Sequence, residues 1–472
     1  MTRGRLVVHG HFYQPSRVDP FTGTIPQDPT AAPYHDWTAR IESEAYRPNA
    51  ERGNLRRMSF DLGPTLSSWL ADNAPKTLAG FVEGDRETGN AMAQAFHHSI
   101  LPLASLADRR TEVRWGLRDF EHRFGHAAEG LWLPETAVDL PTLRVLAEAG
   151  VRWTILAPWQ AAEANLDTRR PYRVELGGGQ RLIVVFYDAS LSSAVSFEPA
   201  ATSDADRFAR ERVAPRLATA LPDGQSPVSL IATDGELYGH HQQFRDLFLQ
   251  RLLSPAAAVA DRGFDIVSLP SVLRETSGLR FRATTIRERT SWSCHHGVLR
   301  WYGECPDARD PRWKQPLRSA FERLAGAIDS VTAAAVEGLM RPAELVRARD
   351  AYIDVVLGIQ APAEHAIAAL GERVPTADRD RFAQLMEAQR WRLAMFASDG
   401  WFWEDPVRLE TRQVMRAAAR AARLVDSVAR TRLEAALVAD LASFTSPTNR
   451  MDGASIYRQA LAEVGQPPPK RT

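Results

Sequence analysis

Six short apolar runs constrain this chain more than any other feature. They are 5–11 (RLVVHGH), 130–134 (GLWLP), 153–157 (WTILA), 181–187 (RLIVVFY), 228–233 (VSLIAT) and 264–269 (FDIVSL). Runs apolar almost throughout, rather than at alternate positions, belong to strands buried on both faces, the habit of parallel sheets. Helical patterns at 88–107, 111–124 and 141–149 fall between them, the last with Pro141 near its start and Gly150 just past its end, the usual start and stop signals. This alternation predicts an α/β fold with a parallel sheet, either barrel or open.

From Pro316 the pattern changes to segments rich in Ala, Arg, Leu and Glu at helical spacing: 316–340, 342–358, 361–373, 376–396, 407–429 and 430–443. The expected organisation is an α/β domain over 1–276, a long ordered loop over 277–315, an all-α domain over 316–465 and a mobile tail over 466–472. Acidic and basic residues balance at 58 each, with no long run of one sign. That argues against nucleic acid or an anionic membrane as partner and suits a neutral, polyhydroxylated substrate. Two cysteines, Cys294 and Cys305, make no disulfide framework. No apolar stretch is long enough to span a bilayer, and the apolar run in MTRGRLVVHGHFYQP is too short for a signal peptide. The expectation is a cytoplasmic protein; neither composition nor pattern fixes its oligomeric state.

In a parallel barrel the reactive groups sit at the C-terminal ends of the strands. His9 and His11, two apart, share one face of the first strand. Glu135 follows 130–134 directly after Pro134, and Asp234 follows 228–233. Singly, each has an ordinary reading: Glu135 as a helix cap, Asp234 before Gly235 as a turn residue, His97 or His98 as mid-helix packing. Recurrence of imidazoles and carboxylates at three strand ends favours a common site. Histidines also come in pairs or near-pairs at 9/11, 97/98, 240/241 and 295/296.

Four motifs carry a resemblance. HGHFYQP (9–15), GLWLPETAVD (130–139) and ATDGELYGHH (232–241) resemble the first, third and fourth signature regions of glycoside hydrolase family 57. FHHSILPL is similar to the His-containing stretch before the third region, and TSWSCHHGVLRW (290–301) is the best candidate for the fifth. SDGWFWEDP (398–406) is similar to a helical extension of a less characterised subgroup. The resemblance implies an incomplete (β/α)7 barrel followed by a helical domain, an α-amylase- or α-glucanotransferase-like activity, Glu135 as nucleophile and Asp234 as general acid/base. The sequence departs from many members in reading Phe-Tyr-Gln-Pro after His11, where they have a shorter His-Gln-Pro form.

Retaining glycoside hydrolysis uses one carboxylate as nucleophile and a second carboxyl group as proton donor and then acceptor. His9, His11, Gln14, His98, Glu236, His240 and His241 are expected to line the site, since imidazoles can donate to and accept from sugar hydroxyls. Trp132, Trp292, Trp401 and Trp403 are candidate sugar platforms, with GWFW read as a loop over the barrel mouth. The substrate is then an α-linked glucan or related α-glycoside, cleaved or transferred, with no cofactor and no metal ligand assigned. Two alternatives stand beside this reading. One is a metal-dependent, polysaccharide-deacetylase-like hydrolase, which usually needs an Asp ligand near the first His motif that HGHFYQP does not offer. The other is a non-catalytic glycan-binding protein on the same fold. Cys294, His295, His296 and Cys305 could bind zinc separately, though their spacing matches no common template.

Overall fold

Strand β1 (Gly4–Phe12) is buried at every position but Arg5, as a strand inside a parallel sheet must be. The computed structural model describes residues 3–254, 262–275 and 281–464; the tail expected at 466–472 and the boundary expected at 276/277 lie outside the described residues. β1 pairs in parallel with β2 (Ser59–Leu62) and β9 (Phe264–Ile266) along one edge and with β8 (Val228–Asp234) along the other. β3 (Ala91–Gln94) and β4 (Leu131–Trp132) extend the sheet in the order β4–β3–β2–β1–β8. β5 (Trp153–Leu156), β6 (Pro171–Gly177), β7 (Gln180–Phe186) and β10 (Arg282–Thr284) form a second sheet ordered β10–β6–β7–β5.

Two narrow seams join the sheets. A parallel bridge between Gly130 and Trp153 carries β4 to β5. The Asp188 N–H donates to the Leu230 carbonyl at 2.7 Å, carrying the end of β7 to β8. The ring β8–β1–β2–β3–β4–β5–β7 is thus a seven-stranded parallel barrel, incompletely closed. A Cβ on Gly130 would lie 2.5 Å from the Trp153 ring, so the first seam requires glycine. Val7, Leu230 and Ala232 pack with Trp132, Trp153, Ile155 and Val185 to fill the core.

The chain forms two compact units that interleave along the sequence, unlike the contiguous segments expected. The first takes residues up to Gln14, 31–95 and 120–293; the second takes 15–30, 96–119 and everything from Cys294. The helix expected over 88–107 is corrected: it holds β3, a 3-10 turn at Leu101–Leu103, and the first residues of the helix Leu106–Phe124. Ala-Met-Ala-Gln has helical propensity, but four buried positions in register with β2 and β4 override it. β2, β6 and β10 were also not expected; β6 and β7 form an antiparallel hairpin around Gly177–Gly179, all at positive φ.

In the second unit the helices Lys314–Ala335, Pro342–Ala351, Pro362–Leu370, Thr376–Ala394, Leu409–Ala429 and Leu433–Leu441 match the expected segments closely, and Gly453–Ala462 adds another. Trp115, Tyr352, Phe382 and Met386 centre one of its cores. No helix among the described residues is long and apolar enough to cross a membrane.

Candidate active site

Strand register assembles the centre of the site. In the ladders, His9 stands opposite Ser59 and Ala232, and His11 opposite Asp61 and Asp234. The two imidazoles therefore point the same way, and Asp61 reaches both. His9 Nε2 lies 3.0 Å from Oδ1, His11 Nδ1 lies 2.8 Å from Oδ2, and the Gln94 amide donates to Oδ2 at 2.7 Å. The Trp132 indole stacks on both rings, with centroids 5.0 Å from each.

The two histidines differ in charge. Burial pushes His9 below the ordinary imidazole value. Burial also opposes charge on His11, but Asp61, Asp234 and Glu236 outweigh it and raise the group to about 9. Burial pushes Asp61 upward, and the charge and hydrogen bonds of His11 and His9 overcome this to hold it below the usual carboxylate range. The centre is thus a buried imidazolium–carboxylate pair with a neutral imidazole beside it.

Glu135 sits just beyond β4 in a strained turn. Its φ is +56 and ψ +20, and Thr136 follows at φ +46. Left-handed backbone at a β-branched residue is uncommon and must be imposed by its surroundings. Gln160 does the imposing: its Oε1 accepts from Thr136 Oγ1 and the Ala157 N–H, and its amide donates to the Thr136 carbonyl, each at 2.8 Å. The carboxylate Oε2 accepts from Ser293 Oγ at 2.6 Å and from the Trp292 indole N–H at 3.3 Å. Burial raises the Glu135 pKa, and Asp234 adds to this against the opposing hydrogen bonds and the His11 charge.

Asp234 ends β8 in an exposed position, and a 3-10 turn at Gly235–Leu237 swings Glu236 off its strand face. A Cβ on Gly235 would lie 2.4 Å from the Phe12 ring, so close approach rather than backbone freedom demands glycine there. Glu236 is buried; its Oε1 accepts from Tyr46 Oη, the Tyr13 N–H at 3.3 Å and the Gln14 amide at 3.5 Å. Burial, then the charge of Asp234, raises Glu236 to about 7.

The other expected site residues divide. Gln14, Trp292 and the pair Glu135 and Asp234 belong to this constellation. Trp292 is half-buried and packs edge-on to Trp132, with centroids 5.0 Å apart. His240 Nδ1 lies 2.5 Å from Glu44 Oε2, and His241 is exposed. Two expectations in this unit are corrected. Trp132 is wholly buried, so it supports the histidines rather than offering a face to sugar. His9 is likewise inaccessible and acts through Asp61. In the second unit, His98 is not mid-helix but in a turn at φ +55, buried, with Nδ1 2.7 Å from Ser398 Oγ. Trp401 is corrected from platform to core: it is wholly buried, packed edge-on to Phe321, and donates to the Lys314 carbonyl at 3.1 Å. Trp403 is 40% exposed beneath the Arg408 guanidinium.

Asp61, Gln94, Tyr46, Glu44, Gln160 and Ser293 were missed. Asp61 alone had a signal: MSFDLGP ends an apolar run on an acid before Gly-Pro, the same strand-end pattern that flagged Glu135.

Comparison with known proteins agrees with this architecture. Residues 310–465 match a domain of unknown function (DUF3536). An alpha-amylase of Pyrococcus horikoshii is 23% identical over 220 residues, 45% of this chain and 33% of its own length. A 4-alpha-glucanotransferase of Thermococcus litoralis is 25% identical over 185 residues, 38% of this chain and 26% of its own length. The chain thus spans about a third or less of these curated relatives. Among solved structures, an exo-type maltose-forming amylase from Pyrococcus sp. ST04 superposes with a TM-score of 0.74 at 16% identity, covering 93% of this chain and 83% of that one. A branching enzyme from Thermococcus kodakaraensis gives 0.62 at 16% identity, covering 98% and 94%. The sequence profile of glycosyl hydrolase family 57 matches residues 31–286, more than half the chain and the stretch that supplies Asp61, Glu135 and Asp234, and the protein belongs to that family.

Proposed function

We propose that this protein is a retaining enzyme acting on α-linked glucans or related α-glycosides, with Glu135 as nucleophile and Asp234 as general acid/base. The observation that carries the reading is the Glu135 turn: a carboxylate held on a strained backbone, oriented by Ser293 and Trp292, with the charge of His11 bearing on it. Strain of this kind persists where surroundings over-determine it, and such places are often functional. The relatives' names, alpha-amylase and 4-alpha-glucanotransferase, supply the substrate class.

In the first step a Glu135 oxygen bonds to the anomeric carbon as the glycosidic C–O bond breaks, and Asp234 gives its proton to the departing oxygen. In the second step Asp234 takes a proton from water or a sugar hydroxyl, whose oxygen attacks the anomeric carbon and releases Glu135. The His11 cation favours the ionised form of Glu135 that the first step needs. Glu236, protonated below about 7, limits the negative charge around Asp234. Trp292, half-buried beside the nucleophile, suits stacking on a pyranose. A cytoplasmic location and an oligo- or polysaccharide partner, without nucleic acid, go with this reading.

The deacetylase-like alternative gains an Asp near the first His motif in Asp61. Both of its oxygens are hydrogen-bonded to imidazoles, Oδ1 to His9 and Oδ2 to His11. The test is intact-protein mass spectrometry after incubation with mechanism-based fluoroglycosides. One glycosyl adduct on the wild type and none on Glu135→Gln is the expected result. No adduct from any α-glycoside in the panel would overturn the reading.

A further inference from the structure

Two turns in the second unit bring four ligand-type side chains together. In the first, the Gly297 N–H donates to the Cys294 carbonyl at 3.0 Å; in the second, the Ala308 N–H donates to the Cys305 carbonyl at 3.0 Å. Each turn presents a cysteine at its first position and a second ligand type two residues on: His296 in the first, Asp307 in the second. One ligand atom from each of these four residues lies within 4.8 Å of all the others. We propose that Cys294, His296, Cys305 and Asp307 form a structural zinc site.

The distances between these atoms suit that ion. With Zn–S near 2.3 Å and Zn–N and Zn–O near 2.0–2.2 Å, a tetrahedron has edges of roughly 3.8 Å between sulfurs, 3.6 Å between sulfur and nitrogen and 3.4 Å between nitrogen and oxygen. Here the two sulfurs are 3.5 Å apart, Cys305 Sγ lies 3.8 Å from His296 Nδ1, and His296 Nδ1 lies 3.2 Å from Asp307 Oδ2. The sulfurs are too far apart to be bonded to one another, since a disulfide needs about 2.05 Å.

Burial is graded as an ion entering from solvent would need. Both cysteines are buried, while the His296 and Asp307 side chains are 39% and 43% exposed. Two thiolates, a carboxylate and a neutral imidazole select zinc over hard cations such as magnesium or calcium. Binding releases both thiol protons to solvent and leaves the centre with one net negative charge. The buried Lys314 ammonium lies within electrostatic reach of both sulfurs and offsets that charge. The need for a staple is also visible. Between Cys294 and Trp313 the only regular element is the 3-10 turn Leu299–Trp301, so this segment has little backbone ladder of its own. A metal that closes it contributes its binding energy to folding.

The test uses the full-length protein purified without chelator, with metal content read by inductively coupled plasma mass spectrometry. The protein is also stripped and reloaded with Zn²⁺ or Co²⁺. One zinc per chain is expected, with sulfur-to-cobalt charge-transfer bands and intense tetrahedral d–d bands in the Co²⁺ form, and with loss of both signals in Cys294→Ser and Cys305→Ser. Because replacing buried cysteines endangers the fold, His296→Gln and Asp307→Asn are measured alongside, with circular dichroism confirming that they fold. Losing a group that merely orients a ligand costs about 10–100-fold in affinity, so each of these variants should bind zinc at least tenfold more weakly. The proposal is overturned if stripped wild type takes up neither metal. It is also overturned if both His296→Gln and Asp307→Asn bind zinc as the wild type does, or if protein isolated with zinc present carries a Cys294–Cys305 disulfide.

Discussion

Each unit buries a cluster of charges, and the two clusters are built differently. In the second unit Asp108 pairs with Arg349 at 3.0 Å and Arg392 at 2.7 Å, and Arg392 also pairs with Asp329 at 2.6 Å. Burial works against ionising Asp108, and the two guanidiniums hold it low all the same. Arginine cannot give up its proton in a protein, so this cluster has one charge state over the physiological range. In the first unit the partners of Asp61 are two imidazoles and the Gln94 amide, and Glu135 and Glu236 lean on hydroxyl, indole and amide donors. Those groups can exchange protons, and burial raises Glu135 and Glu236 together. The lesson is that permanent cations lock a buried carboxylate for structure, whereas titratable and neutral partners leave it available for chemistry.

That contrast can be broken experimentally. The largest effect is expected from Asp234→Asn: a loss of about 10²–10⁴-fold in kcat/KM on glycosides with poor leaving groups, and much less on activated aryl glycosides. Equal losses on both substrate kinds would remove the proton-donor role. Next, Asp108→Ala should destabilise by about 3–5 kcal/mol in denaturant titration, because it takes the carboxylate from buried Arg349 and leaves buried Arg392 with Asp329 alone. A cost below 1 kcal/mol would mean that the second cluster is not the lock described.

Asp61→Asn should lower the His11 imidazole from about 9 to near neutrality, read by NMR titration. An unmoved value would make Asp234 and Glu236, not Asp61, the source of its charge. The smallest effect concerns Glu236. Its folded-state value is raised from 4.5 to about 7, so between those values the native state binds more protons than the unfolded chain, and stability falls as pH rises. Glu236→Gln should flatten that decline in melting temperature between pH 4.5 and 7; an unchanged slope would count against a raised carboxyl at this position.

Much of the architecture was legible because burial leaves a local trace. The runs at 5–11, 153–157, 181–187 and 228–233 all became strands, and the Ala-rich stretch at 407–429 became the helix Leu409–Ala429, with Ala417, Ala418, Ala419, Ala421 and Ala422 buried. The strand β3 was not legible, since Ala-Met-Ala-Gln reads as helix until neighbouring strands claim it. The tryptophans show the same limit: their types were evident, but only packing separated half-buried Trp292 from wholly buried Trp132 and Trp401.

The sequence by itself determined the alternation of strands and helices, the helical second region, and the placement of Glu135 and Asp234 at strand ends. These follow from periodicity and turn chemistry, which act over a few residues. Only the tertiary structure decided that Asp61, fifty residues from His11, would charge it, that Gln160 would hold the Glu135 turn, and that two turns would gather Cys294, His296, Cys305 and Asp307. Strand register and loop closure choose such partners, and neither is encoded in any local pattern.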